Sequence, residues 1–235
     1  MPGKRIAILQ SSYIPWKGYF DVMRAVDEFV LYDDVQFTKR DWRSRNRIKT
    51  PEGLLWLSVP VSVKGRFTQR IDETTLAEPD IVDRHWQSLR RAYGRAPHFR
   101  EYAGPLEALF AGSPRDRLSA LNHHLLVGLR DLLGITTPLT WSTAYGGEGT
   151  KTARLVDLCL RAGATEYVSG PAARAYIEPA LFEAAGITLL YADYAGYPEY
   201  PQLYPPFEHA VSVIDLLVHT GPEAGRFLID VVPPR

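Results

Sequence analysis

Ile6-Ala7-Ile8-Leu9-Gln10-Ser11-Ser12-Tyr13-Ile14-Pro15-Trp16-Lys17-Gly18-Tyr19-Phe20 opens the chain, and Phe29-Val30-Leu31-Tyr32-Asp33-Asp34 completes the unit it begins. Ile6 to Leu9 is a continuous apolar run, the pattern of a strand buried on both faces, as in a parallel sheet. Pro15 and Gly18 mark a turn. Tyr19, Val22, Met23 and Val26 then repeat at helical spacing, and Phe29 to Tyr32 is a second apolar run ended by two carboxylates. The spacing predicts strand, loop, helix, strand. Ligands of open parallel sheets sit at the carboxyl ends of the strands, so Gln10 to Lys17 and Asp33/Asp34 are expected on one ligand-facing edge.

The same logic extends outward. Later apolar runs predict parallel strands at 138–143, 166–168 and 187–192, about five in all with 6–9 and 29–33. Leu54 to Val63 alternates like a strand and carries Pro60, which favours an edge. It is expected as an antiparallel addition to the sheet, turning at Lys64-Gly65-Arg66 into 67–71. Residues from about 79 to 133 read as three helices. Asp80 is a candidate N-cap for the first, Glu101 to Phe110 is the second, and Ser113 with Pro114 starts the third. The expectation is one Rossmann-like α/β domain over 1–235, with a mostly parallel sheet, a small antiparallel extension and a helical insert at about 79–133.

Composition narrows the classes. A chain of 235 residues can bury a proper core, and its formal charge of zero leaves no global field to recruit nucleic acid or a membrane. One cysteine permits no disulfide framework. No stretch is long enough to span a bilayer, and no signal-peptide pattern opens the chain. A cytoplasmic protein is expected.

Local charge is a different matter. Thr38 to Lys49 carries six basic residues against one acid. Arg43, Arg45 and Arg47 suit a phosphate or carboxylate clamp, because guanidinium forks match such oxygens in pairs, and Trp42 adds a stacking face. A solvated charged loop is the plainer alternative. Gly146 to Lys151 lacks the spacing of a phosphate-binding Walker loop. His123 and His124 are adjacent on a helix and cannot share a metal from one face; no metal site is assigned. Cys159 falls at core spacing with Leu155 and Leu158. Tyr194, Tyr197, Tyr200 and Tyr204 either form a sugar platform or pack a long loop.

These words together resemble the WbqC-like family. The resemblance rests on Leu9 to Phe20, Asp33-Asp34-Val35-Gln36-Phe37, Trp42 to Ile48, Ala164 to Gly170 with Tyr176, Tyr200-Pro201-Gln202 and Ser212 to Leu217. It implies a bacterial protein of surface-polysaccharide or natural-product biosynthesis, and a transferase of glycyl or other aminoacyl groups. A looser likeness of layout links Trp16-Lys17-Gly18-Tyr19 to the H-x-G-H word of nucleotidylyltransferases, with Trp16 and Tyr19 where histidines stand.

The expected activity is acyl transfer to an amino group of a sugar-like or specialised-metabolite acceptor. Its donor is activated and bears phosphate, as an acyl-adenylate, the thioester arm of a carrier protein or the end of an aminoacyl-tRNA does. Asp33 or Asp34 would handle the attacking amine, Lys17 with Gln10 and Ser12 would polarise the carbonyl, and His85 is a spare acid–base group. Tyr13, Trp16, Trp42, Arg43, Arg45, Asn46, Arg47, Ser169 and Gly170 complete the substrate-binding set. ATP-dependent nucleotidyl transfer, with Asp33 and Asp34 toward Mg²⁺, is a rival. So is a non-catalytic module that holds a sugar nucleotide or carrier protein. No cofactor and no oligomeric state is assigned.

Overall fold

Five parallel strands form the central sheet in the order β5-β2-β1-β6-β7. They are β1 (Lys4–Leu9), β2 (Glu28–Leu31), β5 (Leu139–Trp141), β6 (Ala164–Ser169) and β7 (Thr188–Tyr191). The computed structural model describes residues 3–235. Strand order reverses between β1 and β6, where Ile6 pairs with Glu28 on one side and Tyr167 on the other. This is the point at which open α/β sheets form a crevice outside the strand ends.

Both faces of the sheet are covered, which explains the continuous apolar runs. Ala7, Phe29, Leu31 and Val168 face one way, into a core shared with α1 (Lys17–Arg24), α2 (Ile81–Tyr93), α3 (Phe99–Ala111), α4 (Leu118–Leu132) and α7 (Val213–Thr220). Ile6, Ile8, Val30 and Tyr167 face the other way, against α5 (Lys151–Arg161) and α6 (Pro179–Ala184). There Tyr167 stacks on Phe182 at 5.1 Å. Cys159 is buried in this second layer, and burial pushes its thiol up to about 12, in keeping with a core residue.

Three local readings are corrected. The arginine-rich segment is not a loop: its second half is strand β3 (Arg45–Thr50), which pairs antiparallel with β4 (Gly53–Ser58). The pair forms a separate two-stranded sheet instead of adding to the central one. Residues 67–71 form no strand; a single bridge joins Gln36 to Arg70. The third helix begins at Leu118, not at Ser113. Ser113 Oγ instead donates to Phe110 O at 2.7 Å and closes α3. Leu76 N bonds Asp116 O, and Leu118 N bonds Thr74 O, so tertiary pairing draws residues 114–117 out of the helix.

Leu125 in α4 is fully buried. Leu125→Ala is expected to destabilise the fold by about 2–5 kcal/mol in urea unfolding. A loss below about 1 kcal/mol would contradict its place in the shared core.

Candidate functional site: a tryptophan and arginine cavity at the first turn

The turn after β1 is held under strain. Ile14 has φ of +35°, a left-handed conformation that a β-branched residue rarely adopts. Such strain persists only where the surroundings over-determine it. Here Asn46 Nδ2 donates to Tyr13 O at 3.2 Å and Ile14 O at 3.0 Å. Tyr13 N bonds Trp42 O, and Val213 N bonds Pro15 O. The hairpin and α7 thus clamp the turn from two sides. Gly18 is required just beyond it, since a Cβ there would lie 2.3 Å from the Trp16 indole.

Between this turn and the hairpin lies a cavity of about 350 Å³, lined by Ser12, Pro15, Trp16, Tyr19, Trp42, Arg43, Asn46 and Ala210. Arg43 spans its wall. Nη1 donates to Gln10 Oε1 at 2.7 Å, whereas Nε is buried with no partner. A buried charged donor without an acceptor is costly, and Nε has none among the described residues. Arg47 Nε donates to Ala210 O at 3.1 Å. Its guanidinium lies 5.5 Å from the Trp56 ring and 6.0 Å from Trp42, and that of Arg45 lies 4.2 Å from Trp56. Among the described residues, neither Arg45 nor Arg47 has a carboxylate within ion-pair distance.

Lys17 lies behind Trp16 and is 2% exposed. Its Nζ sits 4.4 Å from the Tyr197 ring and 5.3 Å from Tyr200, with one long hydrogen bond to Pro198 O at 3.4 Å. Burial lowers it to about 8, against the pull of Asp21 and Asp215. The tyrosines of 194–204 therefore pack the long loop: Tyr197 bonds Asp21, Tyr200 bonds Asp215, and Lys49 Nζ reaches Gln202 and the carbonyls of Tyr204 and Pro206.

A second cavity, about 330 Å³, opens at the carboxyl ends of β2 and β5 and is lined by Asp33, Asp34, Asp72, Arg117, Ser119, Trp141 and Ser142 among others. Asp33 accepts from Ser11 N at 2.8 Å, from Ser11 Oγ at 2.7 Å and from Ser119 Oγ. Burial raises its carboxyl above the usual range, and the serine hydrogen bonds oppose that rise. Asp34 accepts from Ser142 Oγ at 2.6 Å and pairs with Arg154.

Of the residues singled out in the sequence, Ser12, Trp16, Trp42, Arg43 and Asn46 line the first cavity, with Gln10 and Arg47 beside it. Asp33 and Asp34 line the second. Tyr13 and His85 lie in the core, where the Tyr13 hydroxyl and His85 Nδ1 share a hydrogen bond of 2.7 Å. Burial lowers His85 to about 4, which keeps it neutral. Ser169 and Gly170 end β6 and line neither cavity.

Sequence reasoning passed over Tyr19, Pro15 and Ala210 as lining residues. It also passed over Asn122, fully buried in the leucine stripe of α4, which donates to Ser11 Oγ at 3.0 Å and Arg43 O at 2.9 Å. A polar residue on an apolar stripe was its available signal. No helix among the described residues is long and apolar enough to cross a membrane, and no three His, Cys, Asp or Glu side chains among them gather as metal ligands.

The sheet order and the cavity at its carboxyl edge define a doubly wound α/β protein with a cavity at the first turn. The chain belongs to the WbqC-like protein family, whose model matches residues 10–227. It is 49% identical over 225 residues to the uncharacterized protein Rv1507c of Mycobacterium tuberculosis (strain ATCC 25618 / H37Rv), covering 96% of this chain and 97% of that one. No solved structure matches.

The buried lysine gives a pH test. Its ordinary value is 10.5 and its folded value about 8. Between these, the unfolded chain holds a proton that the folded chain lacks, so stability rises with pH. From about pH 8 to about pH 9.5, the protein should gain about 1–2 kcal/mol relative to Lys17→Met in urea unfolding. Parallel curves would show that Lys17 is hydrated.

Proposed function

We propose that the protein is a cytoplasmic N-acyltransferase of polysaccharide or natural-product biosynthesis, moving a glycyl or other aminoacyl group onto an acceptor's amino group. The cavity at the first turn takes the phosphate-bearing donor. One observation carries this assignment: the partnerless buried Nε of Arg43 in a wall shared with Trp16 and Trp42. A guanidinium N–H that folding leaves open, next to Arg47 with no carboxylate of its own, suits an anionic oxygen. The indoles suit a planar or sugar group.

The amine's lone pair attacks the donor carbonyl carbon, a C–N bond forms, and the bond to the oxygen or sulfur leaving group breaks. The nitrogen's proton ends on that leaving group. Arg43 and Arg47 would hold the negative charge on the donor's phosphate and fix its position. The acceptor amine is assigned to the second cavity, where Asp33 lines the wall with its carboxyl pKa raised by burial, a change that favours accepting a proton.

A second reading, a module that binds a sugar nucleotide or carrier protein without chemistry, draws on a different observation. Both aspartates already have protein partners, Asp33 in two serines and Asp34 in Ser142 and Arg154.

Calorimetry with coenzyme A and with adenine nucleotides is expected to show binding that weakens about tenfold or more in Arg43→Ala, the worth of a charge-assisted hydrogen bond. Unchanged affinity would remove the cavity as the donor site. Incubation with a glycyl donor and an amino-sugar acceptor should yield a product heavier by one glycyl residue. Donor binding without product would favour the non-catalytic module, and ATP consumption in the same mixture would favour nucleotidyl transfer.

A further inference from the structure

The positive charge of this chain is concentrated in one place. Thr38 to Phe67 holds eight lysines and arginines against Asp41 and Glu52, in a chain of formal charge zero. The same segment exposes its rings: Trp42 is 42% exposed, Trp56 41% and Phe67 75%. Exposed apolar surface of this kind marks a contact site when it is contiguous, and contacts gather these rings into two groups. Trp42 and Trp56 lie 5.5 Å apart. Arg45 lies over Trp56, and Lys39 Nζ lies 5.5 Å from the Phe67 ring. The segment from Lys39 to Trp42 connects the two groups. Its inner end is the cavity, since Trp42 and Arg43 belong to both.

From this we infer that the basic lobe is a docking surface for single-stranded RNA, whose 3′ end carries the acyl group into the cavity. The inference deepens the proposed function and rests on it for the acyl group only. Alternation of cations with aromatic faces is the arrangement that grips a strand without reading its sequence: bases stack on rings while lysines and arginines follow the phosphates. Arg45 and Arg47 lie two residues apart on one face of β3, about 6.6–6.8 Å along the strand, a step comparable to that between successive phosphates of an extended chain. Salt bridges would blunt such a surface, and Arg45, Arg47, Lys64 and Arg66 form none among the described residues. An acyl group activated on a nucleic acid is an ester of a terminal ribose, where the neighbouring hydroxyl assists its transfer. The amine attacks the ester carbonyl, a C–N bond replaces the C–O bond, and the proton passes to the ribose oxygen. DNA lacks the assisting hydroxyl, so the strand is RNA.

The test is fluorescence anisotropy with a 5′-labelled, unstructured oligoribonucleotide of about 12 nucleotides. Binding is expected, with log affinity falling against log salt at a slope of about −2 or steeper, each phosphate contact contributing about −0.7. Trp56→Ala and the double variant Lys64→Glu/Arg66→Glu should each weaken it at least tenfold. Lys64 and Arg66 are exposed and outside the cavity, so the double variant should keep its fold and its mononucleotide affinity. Absence of oligoribonucleotide binding, or equal affinity in both variants, overturns the inference. So does capture of an acidic carrier protein in its place, and equal affinity for the deoxy strand overturns the RNA assignment. If mononucleotides still bind while the strand does not, the lobe fails and the cavity stands; if neither binds, both fail.

Discussion

A single buried carboxylate joins the parts on which the site depends. Asp33 lies just beyond β2, and its oxygens accept from the backbone and hydroxyl of Ser11 after β1 and from the hydroxyl of Ser119 in α4. Two neighbouring strands and the helical insert therefore meet at one group. A hydrogen bond to a buried charged group is worth roughly 1.5–3 kcal/mol. Asn122 extends the tie from Ser11 to the Arg43 carbonyl. The position of Arg43 in the cavity wall is thus set by contacts that begin at the strand ends.

From that frame the first turn takes its shape. Asn46 holds the two carbonyls around the strained Ile14, and its own strand is held in turn by Ser212 N on Arg47 O. The long loop closes the other side, pinned by two buried lysines. Lys49 satisfies loop carbonyls, and Lys17 is caged by aromatic rings. The cavity is therefore bordered by three segments far apart in sequence. Arg43 and Trp42 line it, and the strain at Ile14 persists because these segments over-determine the turn.

The five parallel strands were legible because burial on both faces leaves continuous apolar runs, and Ile6 to Leu9 and Phe29 to Leu31 show it plainly. Strand β3 was not, because one face carries Asn46 and Ile48 and the other Arg45, Arg47 and the buried Lys49, so charge hides the alternation. Trp16 was singled out from the turn after the first strand and Trp42, Arg43 and Asn46 from the basic segment after the second, and all four line one cavity. What Asp33 and Asp34 do could not be read in the same way. Their partners Ser119, Ser142 and Arg154 lie about a hundred residues away or more, and no local spacing announces them. His85 was a plausible acid–base group on its helix, yet its partner is the Tyr13 hydroxyl in the core. The tyrosines of the long loop had two readings, and the buried Lys17 among them favours packing.

The central claim is that the Trp16, Trp42 and Arg43 cavity holds a phosphate-bearing ligand, and a crystal structure with coenzyme A or an adenine nucleotide bound tests it most directly. The account predicts a phosphate oxygen within about 3 Å of the Arg43 guanidinium, with the ring or sugar against an indole. Phosphate density in the cavity of Asp33 and Asp34, with none beside Arg43, would contradict it.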